Sequence, residues 1–171
     1  MVLAQLLTSR SLAWEFNPRV WIGLSLVVIG ESIRIWAVGY IGNRSRTLRD
    51  DVTGLEIRGP YALCRNPLYV ANILIWAGIG AVTSWLWLVV WLVLLIPYYN
   101  VIVRFEESNL HSIGASYMSY LKAVGRWFPS QNQLSEVKVT SDQKWSLFAA
   151  LRSERTTLCA IVSILCSLWF L

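Results

Sequence analysis

The sequence predicts an all-α, polytopic helical membrane protein with about four membrane segments, two of them forming a central helical hairpin. Three observations predict it. The 171 residues are 56% apolar with a mean hydropathy of +0.50, more than an ordinary soluble domain of this length carries. Ten tryptophans and seven tyrosines supply rings of the kind that gather at bilayer interfaces. The charged residues collect in stretches between long apolar runs. The net charge of +5 suits anionic lipid headgroups, because the basic residues form no continuous stripe for nucleic acid.

Taken in order, AQLLTSRSLAWEF near the N-terminus reads as interfacial, since Arg10 and Glu15 interrupt it and Pro18 ends it. No basic region precedes an apolar core there, so a cleaved signal peptide is not expected. Val20 to Ile41 is the first strong apolar segment, about 33 Å long as a helix and sufficient for one crossing. Glu31 and Arg34 interrupt it at a spacing of three, on one helix face, where they can pair and turn away from lipid. That pair is either a structural ion pair or part of a polar site.

A polar stretch from Gly42 to Pro67 follows, then Leu68 to Val103 without a formal charge. The latter is too long for one crossing and just short of two. Thr83 and Ser84, near Gly78 and Gly80, mark its middle, so it reads as a hairpin with short arms and both ends on one side. The second polar region, Arg104 to Arg155, is rich in basic residues and is placed with the first loop in the cytoplasm. Residues 130–144 read as a solvated linker, and residues 156–171 as a last membrane segment of about 24 Å, marginal for crossing. The whole chain, 1–171, reads as one membrane-embedded domain with its motif core at 43–129.

The chemistry lies at the two ends of the hairpin. RGPYALCRNPLY (58–69) precedes it and VRFEESNLHSIGASYMSYLKAVGRWFP (103–129) follows its start of return. Together they offer Arg58, Arg65 and Arg104, Glu106 and Glu107, the rings of Tyr61, Tyr69 and Trp127, and rigid turns at Pro60 and Pro67. That set suits an amphoteric ligand with a carboxylate, hydroxyls and a flat ring. Quieter readings stand beside it. Glu106 and Glu107 can begin a helix, Tyr117 and Tyr120 can merely pack the second loop, Arg126 can contact lipid phosphate, and His111 can be a loop histidine. Arg46, in Ser45-Arg46-Thr47, can reach the bound ligand or be a juxtamembrane anchor. Three cysteines give no disulfide framework or metal spacing; Cys159 and Cys166 read as small hydrophobes, and Cys64 has no neighbour that would make it a nucleophile.

The ordered set G-P-Y-x-x-x-R-N-P-x-Y (Gly59 to Tyr69), hairpin, E-E-x-x-L (Glu106 to Leu110), G-x-x-Y-x-x-Y (Gly114 to Tyr120) and V-x-R-W-x-P (Val124 to Pro129) resembles the integral-membrane methyltransferases. These include isoprenylcysteine carboxyl methyltransferases and phospholipid N-methyltransferases. The resemblance covers roughly residues 30–129. It implies a small helical membrane enzyme whose cytoplasm-facing loops bind S-adenosylmethionine while a lipophilic small molecule or lipidated substrate enters from the bilayer. By that resemblance the cofactor contacts fall on Thr53, Gly54, Leu55 and Glu56, on Tyr61, on Arg65, Asn66, Pro67, Leu68 and Tyr69, and on Glu106. Arg104 and Glu107 are the candidate catalytic residues. Asn66 stands where many relatives have histidine and Ala71 where they have glycine, so a proton-shuttling role at position 66 is lost.

No glycine-rich turn of the soluble nucleotide-binding type is present. A second enzyme class, the NADPH-dependent membrane sterol reductases, has a similar R-x-x-N-Y and Y-x-x-Y geography. Its members generally follow the tyrosine with glycine and an acid, where this chain reads Tyr69-Val70-Ala71-Asn72. A non-enzymatic membrane scaffold would explain the basic loops and the tryptophans. It leaves the prolines, the asparagine and the paired glutamates around one hairpin unexplained.

Overall fold

The computed structural model describes residues 17–41, 56–110, 115–129 and 145–170. Among them the secondary structure is helical throughout: α1 (Pro18–Ile41), α2 (Pro60–Leu63), α3 (Pro67–Thr83), α4 (Trp85–Leu110), α5 (Ala115–Ala123) and α6 (Leu147–Phe170). Pro18 opens α1 where its missing N–H costs nothing, and the Asn17 side chain accepts from the Arg19 N–H at 3.1 Å. α3 likewise begins on Pro67, and it ends at Ser84, whose extended backbone (φ −167°, ψ 159°) breaks the helix before α4. The hairpin is therefore present and turns at the expected position. Its return arm is not short: α4 runs for 26 residues, through Pro97 and on past the apolar run.

α1 and α3 share the largest helix interface and run antiparallel. Gly23 lies against Gly78 and Gly30 against Ala71 and Ile75. A Cβ on Gly23 would sit 2.7 Å from the Gly78 carbonyl oxygen, and one on Gly78 would sit 2.6 Å from that of Gly23. Only hydrogen fits at this crossing, the small-residue contact by which helices approach closely in lipid. At the far end, Arg19 Nη1 donates to the Thr83 carbonyl at 2.8 Å, tying the start of α1 to the hairpin turn. α4 packs on α3 through rings, with Trp76 and Trp91 4.7 Å apart.

α6 departs from the expected 156–171 segment. It begins at Leu147 and takes in Arg152, Glu154 and Arg155. The charges do not end it because Glu154, 1% exposed, turns inward to Arg34 of α1. Its apolar face, with Ile161, Ile164, Leu165 and Leu168, packs with Val27, Ile75, Ile79 and Trp76. α6 is antiparallel to α1: the Ser146 N–H donates to the Gly39 carbonyl at 3.1 Å, and Trp145 caps the same glycine. The 130–144 linker and the N-terminal interfacial segment lie outside the described residues.

Two helices are long and apolar enough to cross a membrane, Pro18–Ile41 and Trp85–Ser108, and Pro67–Thr83 is a shorter apolar helix. α4 is the most outward-facing: Trp85, Leu86, Val89, Val93, Leu94 and Val101 are each more than half exposed. Such a surface suits lipid tails and is costly in water. Four long helices thus alternate in direction, and the end of α1, the starts of α3 and α6 and the end of α4 gather at one end of the bundle, here called the loop end.

Candidate functional site

The loop end is built on a turn that only glycine makes without strain. Gly59 has φ +57°, and a Cβ there would meet the Tyr40 ring at 2.1 Å. Pro60 then starts the single turn of α2, and Cys64 leaves it in an extended conformation (φ −144°, ψ 154°). Arg58 lies 5.8 Å from the Tyr40 ring centroid, and its guanidinium pairs with Glu56 at 2.9 Å.

Arg65 then joins the two motif loops. Its N–H donates to the Gly125 carbonyl at 2.9 Å and its Nη1 to the Leu121 carbonyl at 2.9 Å. Its Nη2 pairs with Glu107 Oε1 at 3.0 Å. The other oxygen of Glu107 takes Arg126 Nη2 at 2.6 Å, with Arg126 Nε at 3.1 Å. A single carboxylate thus sits between two guanidiniums, one from each loop, and the triad keeps one positive charge in excess. The Arg65 Nε is buried without an acceptor. Around this clamp, Asn66 Nδ2 donates to the Arg126 carbonyl at 3.2 Å, and the Tyr120 hydroxyl donates to the Tyr61 carbonyl at 2.8 Å. Ile57, Tyr120, Ala123 and Val124 form a small apolar core beneath.

Beside the clamp, the Tyr69 hydroxyl donates to Glu106 Oε1 at 2.7 Å, and the Tyr69 ring stacks on Tyr99 at 4.9 Å. Glu106 is half-buried, and its second oxygen is left for another donor. Burial raises the Tyr61 phenol, helped by the neighbouring Tyr120, Glu56 and Cys64, so Tyr61 stays neutral at any ordinary pH. Burial also pushes the Cys64 thiol up, against a smaller lowering from the Asn66 backbone N–H. A buried, protonated thiol matches the reading of Cys64 as inert.

The structure therefore brings Tyr61, Arg65, Asn66, Pro67, Leu68, Tyr69, Glu106 and Glu107 to one end of the bundle, with Glu56 at its margin. Thr53, Gly54 and Leu55 lie outside the described residues, as do Arg46 and His111. Arg104 is on α4 but exposed, one turn before the buried Glu107. Glu107, expected as a catalytic residue, is held between two guanidiniums. That placement makes it a fastener and gives it a structural share in the site.

Three contributors were not singled out from the sequence. Asn72 follows Tyr69 by one turn and accepts from Arg34 Nη1. Tyr99 stacks on Tyr69 with ring centroids 4.9 Å apart. Glu154 holds Arg34 from α6. A polar asparagine inside a charge-free run was a usable signal for Asn72. For Glu154 the signal was spacing: Glu154, Ile161, Leu165 and Leu168 share one helical face.

A family model described as phospholipid methyltransferase matches residues 18–114, from the start of α1 to just past α4. Two curated relatives are similar. The cobalt-zinc-cadmium resistance protein CzcN of Cupriavidus metallidurans is 34% identical over 109 residues, 63% of this chain and 46% of that protein. The nickel-cobalt-cadmium resistance protein NccN of Alcaligenes xylosoxydans xylosoxydans is 30% identical over 137 residues, 75% of this chain and 60% of that protein. The chain thus spans about half to three-fifths of these relatives' length. No solved structure matches.

Proposed function

The chain belongs to the phospholipid methyltransferase family, and from that premise we propose that it transfers a methyl group from S-adenosylmethionine to a lipophilic acceptor at the membrane interface. The observation that carries this reading is the convergence at the loop end. Tyr69 and Glu106, from opposite arms of the hairpin, are hydrogen-bonded beside the Arg65–Glu107–Arg126 clamp.

The residues fit the cofactor by their chemistry. Glu106 has an oxygen to accept from ribose hydroxyls, and the clamp's excess positive charge, with its bare Arg65 Nε, favours an amino-acid carboxylate. Tyr61 and Tyr69 present ring faces to the adenine or the sulfonium. Backbone groups of 53–56 and of Asn66 to Leu68 complete the contact set inferred from the resemblance. When bound, S-adenosylmethionine supplies an electrophilic methyl on sulfur. The chain's own task is alignment and the exclusion of water. Glu107 holds both arginines in register, and Arg104, exposed at the interface, is placed to steer an anionic or lipid head group toward the site.

In this reading the protein is multi-pass, with its basic loop end in the cytoplasm. The relatives' names also support a role in resistance to divalent metals, through a methylated membrane component. Incubating the purified protein with labelled S-adenosylmethionine and a total lipid extract should label a lipid fraction, and Glu106→Gln should reduce that labelling about tenfold at subsaturating S-adenosylmethionine. Calorimetric heat with NADPH and none with S-adenosylmethionine would overturn the reading in favour of a reductase. Heat with neither would leave a scaffold.

A further inference from the structure

The outward side of α6 carries two cations that the fold itself leaves unused. Glu154 faces α1 and pairs with Arg34 at 2.8 Å, so the helix presents Arg152 and Arg155 on its other side, where both are exposed. A spacing of three sets them one turn apart, in a stripe with Phe148, which is 78% exposed. Neither guanidinium has a carboxylate partner among the described residues.

The length of the helices places this pair in the bilayer. Beyond Arg155, α6 is uncharged from Thr156 to Phe170, about 22 Å of helix, whereas α4 is uncharged from Trp85 to Val103, about 28 Å. Both runs meet at the same end of the bundle, where α4 begins and α6 finishes. The apolar surface therefore stops about 6 Å further from the loop end on α6 than on α4. Helical side chains lean toward their own N-terminus, which for α6 is the loop end, so the two arginines reach toward the headgroups. Lipid beside α6 thins to meet them. A guanidinium facing acyl chains without a partner is costly, and a phosphate removes that cost through charge-assisted, bidentate hydrogen bonds.

We propose that Arg152 and Arg155 bind the phosphate of one anionic membrane lipid on the outer side of α6, with the exposed Phe148 and Leu151 against the upper part of its tails. The site lies outside residues 18–114, the stretch shared with the methyltransferase family, and the lipid it holds is a fixed companion of the fold, not a methyl acceptor. Two guanidiniums around one phosphate keep a positive charge in excess, which repels the cationic group of a zwitterionic head and selects a net-negative one. A symmetric pair of chains packed through this face would set the same arginines against each other. The bound lipid pins α6 from outside while Glu154 pins it from within. Arg34, which receives Glu154, also holds Asn72 one turn from Tyr69, so the lipid steadies the helix that braces the loop-end site. The inference concerns binding only and does not depend on methyl transfer.

The test uses the full chain in dodecylmaltoside, titrated separately with dioleoylphosphatidylglycerol, dioleoylphosphatidylcholine and inorganic phosphate. Retained lipid is counted by native mass spectrometry, with thermal melts in parallel. The wild type should retain phosphatidylglycerol about tenfold tighter than phosphatidylcholine and melt at a higher temperature with it. Arg152→Gln combined with Arg155→Gln should abolish that preference and leave the lipid-free melting temperature unchanged, because both side chains are exposed and unpaired. Each single substitution should lose part of the preference, so the result stands even if the double variant folds poorly. Arg152→Lys with Arg155→Lys should restore part of it. Arg104→Gln removes an equally exposed charge from α4 and should leave the tightly held phosphatidylglycerol in place. The proposal is overturned by no preference in the wild type, by a preference that survives the double glutamine substitution, or by an equal loss in Arg104→Gln, which would reduce the effect to net charge. Stabilisation by inorganic phosphate equal to that by phosphatidylglycerol would overturn it too, in favour of a site for free anions.

Discussion

The Tyr69 hydroxyl donates to Glu106 Oε1 across 2.7 Å, joining residues 37 positions apart on the two arms of one helical hairpin. The bond aligns Glu106 beside the clamp and leaves its other oxygen for a ligand. Glu106→Gln keeps the shape and the Tyr69 bond but removes the charge. S-adenosylmethionine should bind about tenfold more weakly, about 1.4 kcal/mol, with the melting temperature nearly unchanged. Calorimetry with parallel thermal melts checks this, and an unchanged affinity counts against Glu106 as a ribose acceptor.

Glu107 is the fastener, so its loss should be structural before it is functional. Glu107→Gln leaves Arg65, whose side chain is 12% exposed, without its counter-charge and should cost roughly 3 kcal/mol or more. Arg126→Ala should cost about 1 kcal/mol or less, because its guanidinium is already about a third exposed. Denaturant melts of the two variants in detergent should rank in that order, and equal losses would refute the assignment of Glu107 as the centre of the clamp.

At the α1–α3 crossing there is no room for a side chain. Gly78→Val would drive its Cβ into the Gly23 carbonyl, contact that only backbone movement can relieve. A loss of about 1–3 kcal/mol, or failure to fold, is expected. Gly125→Ala at the loop end, where no comparable crossing exists, serves as the comparison in the same melt.

Orientation follows from which residues share an end of the bundle. In a background without native cysteines, Leu63→Cys and Phe128→Cys should react with a membrane-impermeant maleimide from the same side. Leu86→Cys, beside the hairpin turn, should react from the other. All three positions are well exposed. Labelling of positions 63 and 128 from opposite sides would dismantle the site.

Alkaline stability should reflect two buried acids at the loop end. The Cys64 thiol is raised from an ordinary value of about 9, and the Tyr61 phenol is raised as well. The folded state holds these protons more tightly than the unfolded state does. Their contribution is complete below the unfolded values and is lost as pH climbs past about 9 toward the folded ones. Melting temperatures should be flat near neutrality and fall above pH 9, and Cys64→Ser should delay the first part of that fall. A fall beginning on the acid side of pH 8 would point to other groups.

The hairpin and its turn at Ser84 were legible because a charge-free run interrupted by small polar residues can satisfy its backbone in lipid only as two helices. The loop-end residues were legible as a set because arginine, glutamate, tyrosine and proline at membrane ends have few other reasons to cluster. The extent of α6 was not legible. Arg152, Glu154 and Arg155 look like the end of the second polar region until Arg34, on another helix, is seen to receive Glu154. For the same reason the spacing of Glu31 and Arg34 suggested a pair, whereas the guanidinium makes its short bonds to Glu154 and Asn72.

By itself the sequence determined the helices, their order and the chemical inventory at each end, because hydropathy and spacing act locally along the chain. Which carboxylate each arginine takes was decided only by tertiary structure. Pairing depends on which helices lie side by side, and the Gly23–Gly78 crossing and the antiparallel packing of α6 on α1 set that register. A guanidinium in a low-dielectric interior goes to the carboxylate it can reach with good geometry, and proximity in sequence has little say in that choice.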